Sequence, residues 1–183
     1  PQQGCKPMSW VSPLVEIEKR VQETAKSISL DLAQADTKTR LRQVIDDEIA
    51  KWADDYARGI RDLPIADPNT LADRAFRNIA GYGPLEPLLN DDDVWEICIN
   101  APNAIFVRRH SGDNGYHNEV FHDDEHVIRT LTKVLDEASG AHRKFDPAEG
   151  LQDAQLASGA RLHIVHSDIG RDSHTLVNIR KLI

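Results

Sequence analysis

The sequence is poor in cysteine and in aromatic residues, and it contains no long apolar run. Its 2 cysteines cannot build a disulfide framework, so packing must hold the fold. Aromatic residues make up only 5% of the chain, which predicts a mostly aliphatic core. The apolar runs are far too short to cross a bilayer, and no signal-peptide pattern is present. We therefore predict a cytoplasmic protein in which Cys98 is a buried, reduced thiol.

The chain also lacks an excess of basic residues. Its 22 lysines and arginines stand against 30 aspartates and glutamates, which gives a net charge of −8. A general nucleic-acid-binding protein needs a basic surface, so this balance argues against that class but leaves a local basic pocket open. The hydrophobic content of 40% and the charged content of 28% are typical of a globular protein. A chain of 183 residues predicts one or two small domains.

Three amphipathic helices are predicted before residue 81. The first begins at Ser12-Pro13 and continues to Leu32, and the third runs from about Asn69 to Ala80. The second begins at Asp36 or Thr37 and ends before Pro64, with a regular apolar stripe formed by Leu41, Ile45, Ile49, Trp52, Tyr56, Ile60 and Leu63. Three such stripes cover one another in a small bundle over residues 12–80. This bundle either caps the following domain or docks on another protein.

A sheet with one helix laid on it is predicted for residues 81–183. The predicted strands share a period-two alternation and lie at residues 94–100, 105–109, about 116–121, 160–165 and 176–180. Asp123 is the expected N-cap of the single helix, and Gly140 is its expected end. Gly81 and Gly83 are the expected hinge between the bundle and the sheet. The whole chain is therefore predicted to be α+β, with an antiparallel sheet and one main helix in its second domain.

Each of the last two predicted strands carries one arginine, Arg161 and Arg180. Guanidinium groups on neighbouring strands suit an anion, because each offers a planar fork of donors. On spacing alone, the more ordinary reading is a surface ion pair with Asp153, Asp168 or Asp172. Asp153 precedes a predicted tight turn, and we expect it either to orient Arg161 or to cap that turn.

Two groups of motifs carry a family resemblance. The first group is GYGPLEPLL at residues 81–89 and VWEICIN at 94–100, and the second is DAQL at 153–156, GARLH at 159–163 and VNIRK at 177–181. They resemble Gly-x-Gly-Pro-Leu-Glu-Pro-Leu-Leu, Thr-Glu-Ile-Met-Val-Asn, Asp-Ala-Arg-Leu, Gly-Ser-Arg-Val-Asn and Thr-Ile-Arg-Lys in the N-terminal domain of the secretion ATPases. These are the hexameric motors of type II and type IV secretion, pilus assembly and archaeal flagella, and the Tad/Flp pilus branch is the most similar.

The resemblance covers about residues 76–183 and includes departures from the family pattern. Gln155 stands where the family usually has an arginine, and His166-Ser167 stands where paired prolines are common. The chain also ends before any G-x-x-x-x-G-K-[ST] phosphate loop. We therefore expect the motor domain, with its ATP and Mg, to lie outside this chain, which should bind nucleotide poorly and hydrolyse none by itself.

The resemblance implies a PAS-like second domain and a role for the two arginines. In the family, arginines that match Arg161 and Arg180 reach across a cleft to the terminal phosphate of ATP held by the motor domain. Asp153 and Lys181 would support them, although Lys181 points to the opposite face of its strand.

The resemblance also implies the setting of the protein. Its partners would be its own C-terminal motor domain, further copies in a homo-hexamer, and inner-membrane platform proteins of a secretion or pilus machine. The protein would then be cytoplasmic and peripheral at the inner face of the membrane. The alternative function is a stand-alone PAS-like interaction or sensor domain without a motor.

One further motif resembles a zinc site. Residues 122–126 match H-x-x-E-H, a pattern of some zinc proteases, with His122 and His126 as the ligands. Both histidines must then lie on one helical face, whereas the cap at Asp123 leaves His122 outside the helix. We therefore predict no metal site. Because no G-x-S-x-G context is present either, we predict no catalytic residue within this chain.

Overall fold

A computed structural model describes residues 12–28, 30, 35–137 and 146–181. The chain divides into two compact units between Ala80 and Gly81. The predicted helix positions Leu32 and Gly140 lie outside the described residues. Within the described ranges, every helix is too short or too polar to cross a membrane.

The first unit is a bundle of three helices, as predicted. Helix α1 is Pro13–Ser27, α2 is Ala35–Ala57 and α3 is Pro68–Ala80. Proline at the start of α1 suits the first helical turn, where its missing N–H would have had no partner. The three apolar stripes meet in one buried, mostly aliphatic cluster of Leu14, Ile17, Val21, Leu41, Ile45, Ile49, Trp52, Ala72, Ala75 and Ile79.

The predicted ends of the first two helices are wrong. Helix α1 ends at Ser27 and leaves Ile28 exposed, and α2 ends at Ala57 instead of reaching residue 63. Tyr56 and Ile60 are therefore not core residues, since they are 44% and 64% exposed. The chain turns back at Gly59, whose φ of +73° is a left-handed value that favours glycine.

Trp52 fixes the segment that follows α2. Its indole Nε1 donates to the carbonyl oxygen of Leu63 at 2.7 Å. The guanidinium carbon of Arg61 lies 4.2 Å from the centre of the Trp52 ring, which is a cation–π distance. These contacts hold Arg61 and Leu63 against α2 after the helix has ended. The apolar residues Ile60 and Leu63 thus have helical spacing in the sequence but are not part of the helix.

The second unit is an antiparallel sheet with one main helix, which confirms the predicted α+β class. The strands are β1 Val94–Ala101, β2 Ala104–Arg109, β3 Gly115–Tyr116, β4 Leu151–Gln155, β5 Arg161–Val165 and β6 Leu176–Arg180. Their order in the sheet is β3-β2-β1-β6-β5-β4, and all neighbouring pairs are antiparallel. The helices are the short α4, Glu86–Leu89, and the longer α5, Asp124–Glu137.

Helix α5 and one face of the sheet share a buried cluster. Asp123 caps α5 as predicted, because its Oδ1 accepts the backbone N–H of His126 at 2.8 Å. The apolar residues of α5 are buried together with alternate residues of the strands, among them Ile97, Ile99, Leu162, Ile164, Val177 and Ile179. Since side chains alternate along a strand, the residues between these point to the other face of the sheet.

Two strand predictions are wrong. Strand β4 was not predicted, because its alternation is inverted: Leu151 is 55% exposed whereas the polar Gln152 is buried. Strand β3 is only two residues long and does not extend to residue 121. Beyond Tyr116 the chain leaves the sheet, and Phe121 is buried in the cluster.

Candidate functional site

The strand register places a row of charged side chains across four strands. Arg180 of β6 lies directly opposite Arg161 of β5 on one side and opposite Glu96 of β1 on the other. Glu96 in turn lies opposite Arg108 of β2. We call these four residues the arginine row. It lies on the face turned away from the buried cluster, because the neighbouring Ile97 and Ile179 belong to that cluster.

Glu96 is the buried centre of the arginine row. Only 5% of its side chain is exposed, and its Oε1 accepts hydrogen bonds from Arg180 Nε and Asn178 Nδ2, both at 3.0 Å. Its Oε2 lies 3.2 Å from Nε of Arg108. Burial by itself raises the pKa of Glu96, but the hydrogen bonds from Asn178 and Arg180 and the charge of Arg108 outweigh it. The pKa of Glu96 therefore lies below its usual value, and the carboxylate is ionised at neutral pH.

Arg161 and Arg180 are accessible and sit side by side. The side chain of Arg180 is 69% exposed, and among the described residues its guanidinium pairs with Glu96 alone. Arg161 is also exposed, and within the described part of the chain its guanidinium has neither an ion pair nor a hydrogen bond. The ordinary alternative of an ion pair with a nearby aspartate is therefore wrong for Arg161, and Arg180 pairs with a glutamate of a different strand.

The arginine row carries surplus positive charge. The row contains three guanidinium groups and one carboxylate. Glu96 pairs with Arg108 and Arg180, and Arg161 has no counter-charge among the described residues, although the chain as a whole has a net charge of −8. Like charges directly opposite on neighbouring strands destabilise a sheet. An anion placed between Arg161 and Arg180 would remove that repulsion and would receive two planar forks of donors. The arrangement therefore suits a phosphate-like anion.

The two residues predicted to support the arginines have other partners. Asp153 lies in β4 opposite His163 of β5, and its carboxylate pairs with the imidazole Nδ1 of His163. Lys181 donates from Nζ to the backbone oxygens of Leu88 and Asp91. The ammonium group thus caps the C-terminal end of α4, where the last carbonyl groups of a helix have no hydrogen-bond donor within the helix.

Gly81 and Gly83, the predicted hinge, both lie in the sheet unit. A side chain at Gly81 would require the flexible Glu86 side chain to move, and the backbone at Gly83 favours glycine. A Cβ on Gly81 would lie 2.6 Å from Oε1 of Glu86, and the Gly81 carbonyl accepts a hydrogen bond from Lys133 Nζ at 3.3 Å. Gly83 is buried and has a φ of +52°, a left-handed value that a residue with a side chain rarely adopts. Their hinge function remains a prediction.

The histidines of residues 122–126 pack against each other at the start of α5. As predicted, His122 precedes the helix, which begins at Asp124. The His126 ring is buried, and its Nδ1 accepts the backbone N–H of His122 at 3.1 Å. In the described ranges, no group of three or more possible metal ligands lies together.

Cys98 is only half-buried, which corrects the prediction of a buried thiol. It lies on the same face of the sheet as Glu96, because the two residues are two positions apart in β1. Its Sγ accepts a hydrogen bond from Asn178 Nδ2 at 3.3 Å.

Sequence reasoning missed Glu96, Arg108 and Asn178 as parts of the site. Glu96 and Asn178 stand within quoted motifs, and a glutamate inside an otherwise apolar strand was an available signal. Their meeting depends on which strands pair and in which register, and a single sequence does not supply that information.

No known protein-family model matches this chain. It is 31% identical over 93 residues to a putative conjugal transfer protein of Mycobacterium tuberculosis, in strain CDC 1551 / Oshkosh and in strain ATCC 25618 / H37Rv. The match covers 48% of this chain and 25% of each relative, so the chain spans about a quarter of the length of the curated relatives it matches.

A solved structure also shows a partial likeness. The VirB11 ATPase from the Brucella suis type IV secretion system, crystallised with sulphate, matches with a TM-score of 0.44 and 27% sequence identity. That match covers 55% of this chain and 30% of the other.

Proposed function

We propose that this chain is the N-terminal region of a secretion or pilus-assembly ATPase. In this proposal, Arg161 and Arg180 contact the terminal phosphate of ATP held by a separate motor domain. The observation that carries the proposal is that these two arginines occupy directly opposite positions on neighbouring strands and are both exposed. Among the described residues, Arg161 has neither an ion pair nor a hydrogen bond from its guanidinium. The similarity to conjugal transfer proteins of Mycobacterium tuberculosis supports a role in a transfer or secretion machine.

The chemistry of phosphoryl transfer explains what the two arginines would contribute. Negative charge is spread over the oxygens of the transferred group, and a correctly placed guanidinium stabilises that charge. Arg161 and Arg180 are opposite each other, so both forks can reach oxygens of one phosphate. ATP and Mg would be held by the motor domain, and this chain would supply the two cations.

The setting of the complete protein follows from the same proposal. The chain would work beside its own motor domain within a homo-hexamer, in the cytoplasm at the inner face of the membrane. The helical unit would dock on platform proteins of the machine. The amphipathic helices α1 to α3 are compatible with docking, and the resemblance to secretion ATPases is what favours it.

Alanine substitution of each arginine in the complete protein tests the proposal. We expect Arg180→Ala and Arg161→Ala each to lower ATP turnover by roughly 10³-fold, the scale of arginine fingers in other phosphoryl-transfer proteins. Both side chains are exposed, and Arg108 and Asn178 still contact Glu96 when Arg180 is removed, so both variants should fold. Arg180→Ala should lower the melting temperature more than Arg161→Ala, because the buried carboxylate of Glu96 loses one of its cations.

Arg129 provides the matched control for this experiment. It is an exposed arginine on helix α5, and Arg129→Ala should leave turnover unchanged. Wild-type turnover in Arg180→Ala, measured at saturating ATP, would refute the proposed role.

A further inference from the structure

We propose that Glu96 is a positioning residue, whose carboxylate holds Arg180 so that the free edge of the guanidinium faces the phosphate. This inference rests on the proposed function, because it assigns Arg180 to a phosphate. It adds a residue from a different strand to the site and explains how an exposed arginine is kept in one orientation.

The contact between Glu96 and Arg180 uses one edge of the guanidinium group. Nε of Arg180 donates to Oε1 of Glu96 at 3.0 Å. Nε lies on the inner side of the planar fork, so this bond fixes the plane of the group while the outer Nη atoms stay available. Glu96 is buried, with 5% of its side chain exposed, whereas 69% of the Arg180 side chain is exposed to solvent. An anion can therefore bind Arg180 without displacing Glu96.

Glu96 is itself held by groups other than Arg180. Asn178 Nδ2 donates to the same Oε1 at 3.0 Å, and Nε of Arg108 lies 3.2 Å from Oε2. A buried carboxylate with several donors has little freedom to rotate, and removing its cations would leave a costly unpaired charge. The position of the Arg180 guanidinium is thus fixed by Glu96 of β1, and not by the long, flexible aliphatic part of the Arg180 side chain.

Charge repulsion gives a second reason for the carboxylate. Arg180 and Arg161 carry like charges at directly opposite positions, which drives the two forks apart. The negative charge of Glu96 lies on the other side of Arg180 and opposes that movement. Without it, the Arg180 fork would turn toward solvent, and a misplaced catalytic group can lose about 100-fold in rate.

The orientation of Arg180 can be measured directly in this chain. The Nε–Hε signal of Arg180 in a ¹H–¹⁵N NMR spectrum at neutral pH should exchange slowly, because Glu96 accepts that hydrogen. We expect Glu96→Gln to speed its exchange at least tenfold, and Glu125→Gln, which changes an exposed glutamate of α5, to leave it unchanged. Arg161 has no described acceptor and should exchange fast in all variants. An Arg180 signal that exchanges as fast as that of Arg161 in the wild type would overturn the inference.

Turnover of the complete protein separates positioning from simple charge balance. We expect Glu96→Gln to lower kcat about 10- to 100-fold with little change in KM, because the arginine acts in the transition state. Glu96→Asp keeps the charge but shortens the side chain, so it should recover part of the loss. The double variant Glu96→Gln/Arg180→Ala should be no slower than Arg180→Ala alone, since Glu96 acts through Arg180.

The outcomes distinguish this inference from the proposed function. If Arg180→Ala turns over ATP like the wild type, both fail. If Arg180→Ala is slow but Glu96→Gln is not, or if the two losses multiply in the double variant, the inference alone fails. Should Glu96→Gln not fold, Glu96→Asp decides, and wild-type kcat together with wild-type Arg180 exchange in that variant would overturn the inference.

Discussion

At the scale of single residues, His126 is a neutral imidazole kept inside the sheet unit. It is 1% exposed, and its ring packs edge-to-face with that of Phe121, with the ring centres 5.1 Å apart. Its pKa is lowered to about 3, mainly by burial and in addition by the charges of the nearby His122 and Arg129. A proton on Nδ1 would also remove the hydrogen bond that this atom accepts from the backbone of His122.

This burial predicts an acid-sensitive fold. The unfolded chain binds a proton at the ordinary histidine pKa of about 6.5, whereas folded His126 does so only near 3, so stability is full above about pH 6.5 and is lost as pH falls from there toward 3. We expect His126 to remove about 2 kcal/mol of unfolding free energy between pH 7 and pH 5. Urea titrations at both pH values measure the change.

Two variants isolate the contribution of His126. His126→Gln keeps a hydrogen-bonding side chain without the titration, so the loss between pH 7 and pH 5 should shrink by about that 2 kcal/mol. His110→Gln changes an exposed histidine and should keep the wild-type pH dependence. A loss of the same size in His126→Gln and in the wild type would show that another group titrates.

The two arginines could be chosen from the sequence, but their surroundings could not. Alternation along the last two strands and the family resemblance both pointed to Arg161 and Arg180. Their separation from the nearby aspartates, and the contact of Arg180 with Glu96, depend on the register of β6 against β5 and β1. Glu96 and Arg180 are 84 positions apart in the chain, so the spacing of residues within a local segment does not predict their contact.

At the scale of secondary-structure elements, the connection between β5 and β6 sets how the arginine strands pair. Gly170 lies in this connection, and its backbone N–H donates to the carbonyl oxygen of His166 at 2.8 Å. A Cβ on Gly170 would lie 2.1 Å from the backbone oxygen of His174, which is closer than atoms can approach. Only glycine therefore fits without moving the backbone on one side of the turn.

Gly170→Ala is consequently expected to destabilise the fold by about 1–3 kcal/mol, because the backbone at His174 must shift. Gly115→Ala is the matched control, since a Cβ there would meet nothing within 4 Å, and its effect should stay within about 0.5 kcal/mol. Urea denaturation followed by circular dichroism gives both values. Equal midpoints for the two variants would show that the turn adapts to the added methyl group.

The elements that were predicted correctly are those with strong, regular apolar periods. The three helices of the bundle, helix α5 and strands β1, β2, β5 and β6 all follow such a period. Strand β4 was missed because its outward residue is leucine and its inward residue is glutamine, which pairs with His166. The end of α2 was misplaced because Trp52 and Arg61 hold the next segment by contacts that lie outside the helical period.

At the scale of the whole molecule, the overall amino-acid composition does not reveal the proposed anion site. A net charge of −8 argues against a general anion-binding surface, yet three arginines lie in one row on a face of the sheet, together with a single glutamate that pairs with two of them. The sequence predicted the α+β class and the order of a helical bundle and a sheet. The hinge at Gly81 and Gly83 is a prediction from the sequence, and docking of the bundle on platform proteins is a proposal drawn from the resemblance to secretion ATPases.

The most direct test of the central claim is a structure of the complete protein with Mg and a non-hydrolysable ATP analogue. We predict that guanidinium nitrogens of both Arg161 and Arg180 lie about 3 Å from oxygens of the terminal phosphate in at least one subunit. A bound analogue whose terminal phosphate is contacted by other residues, with both arginines facing solvent in every subunit, would contradict the account.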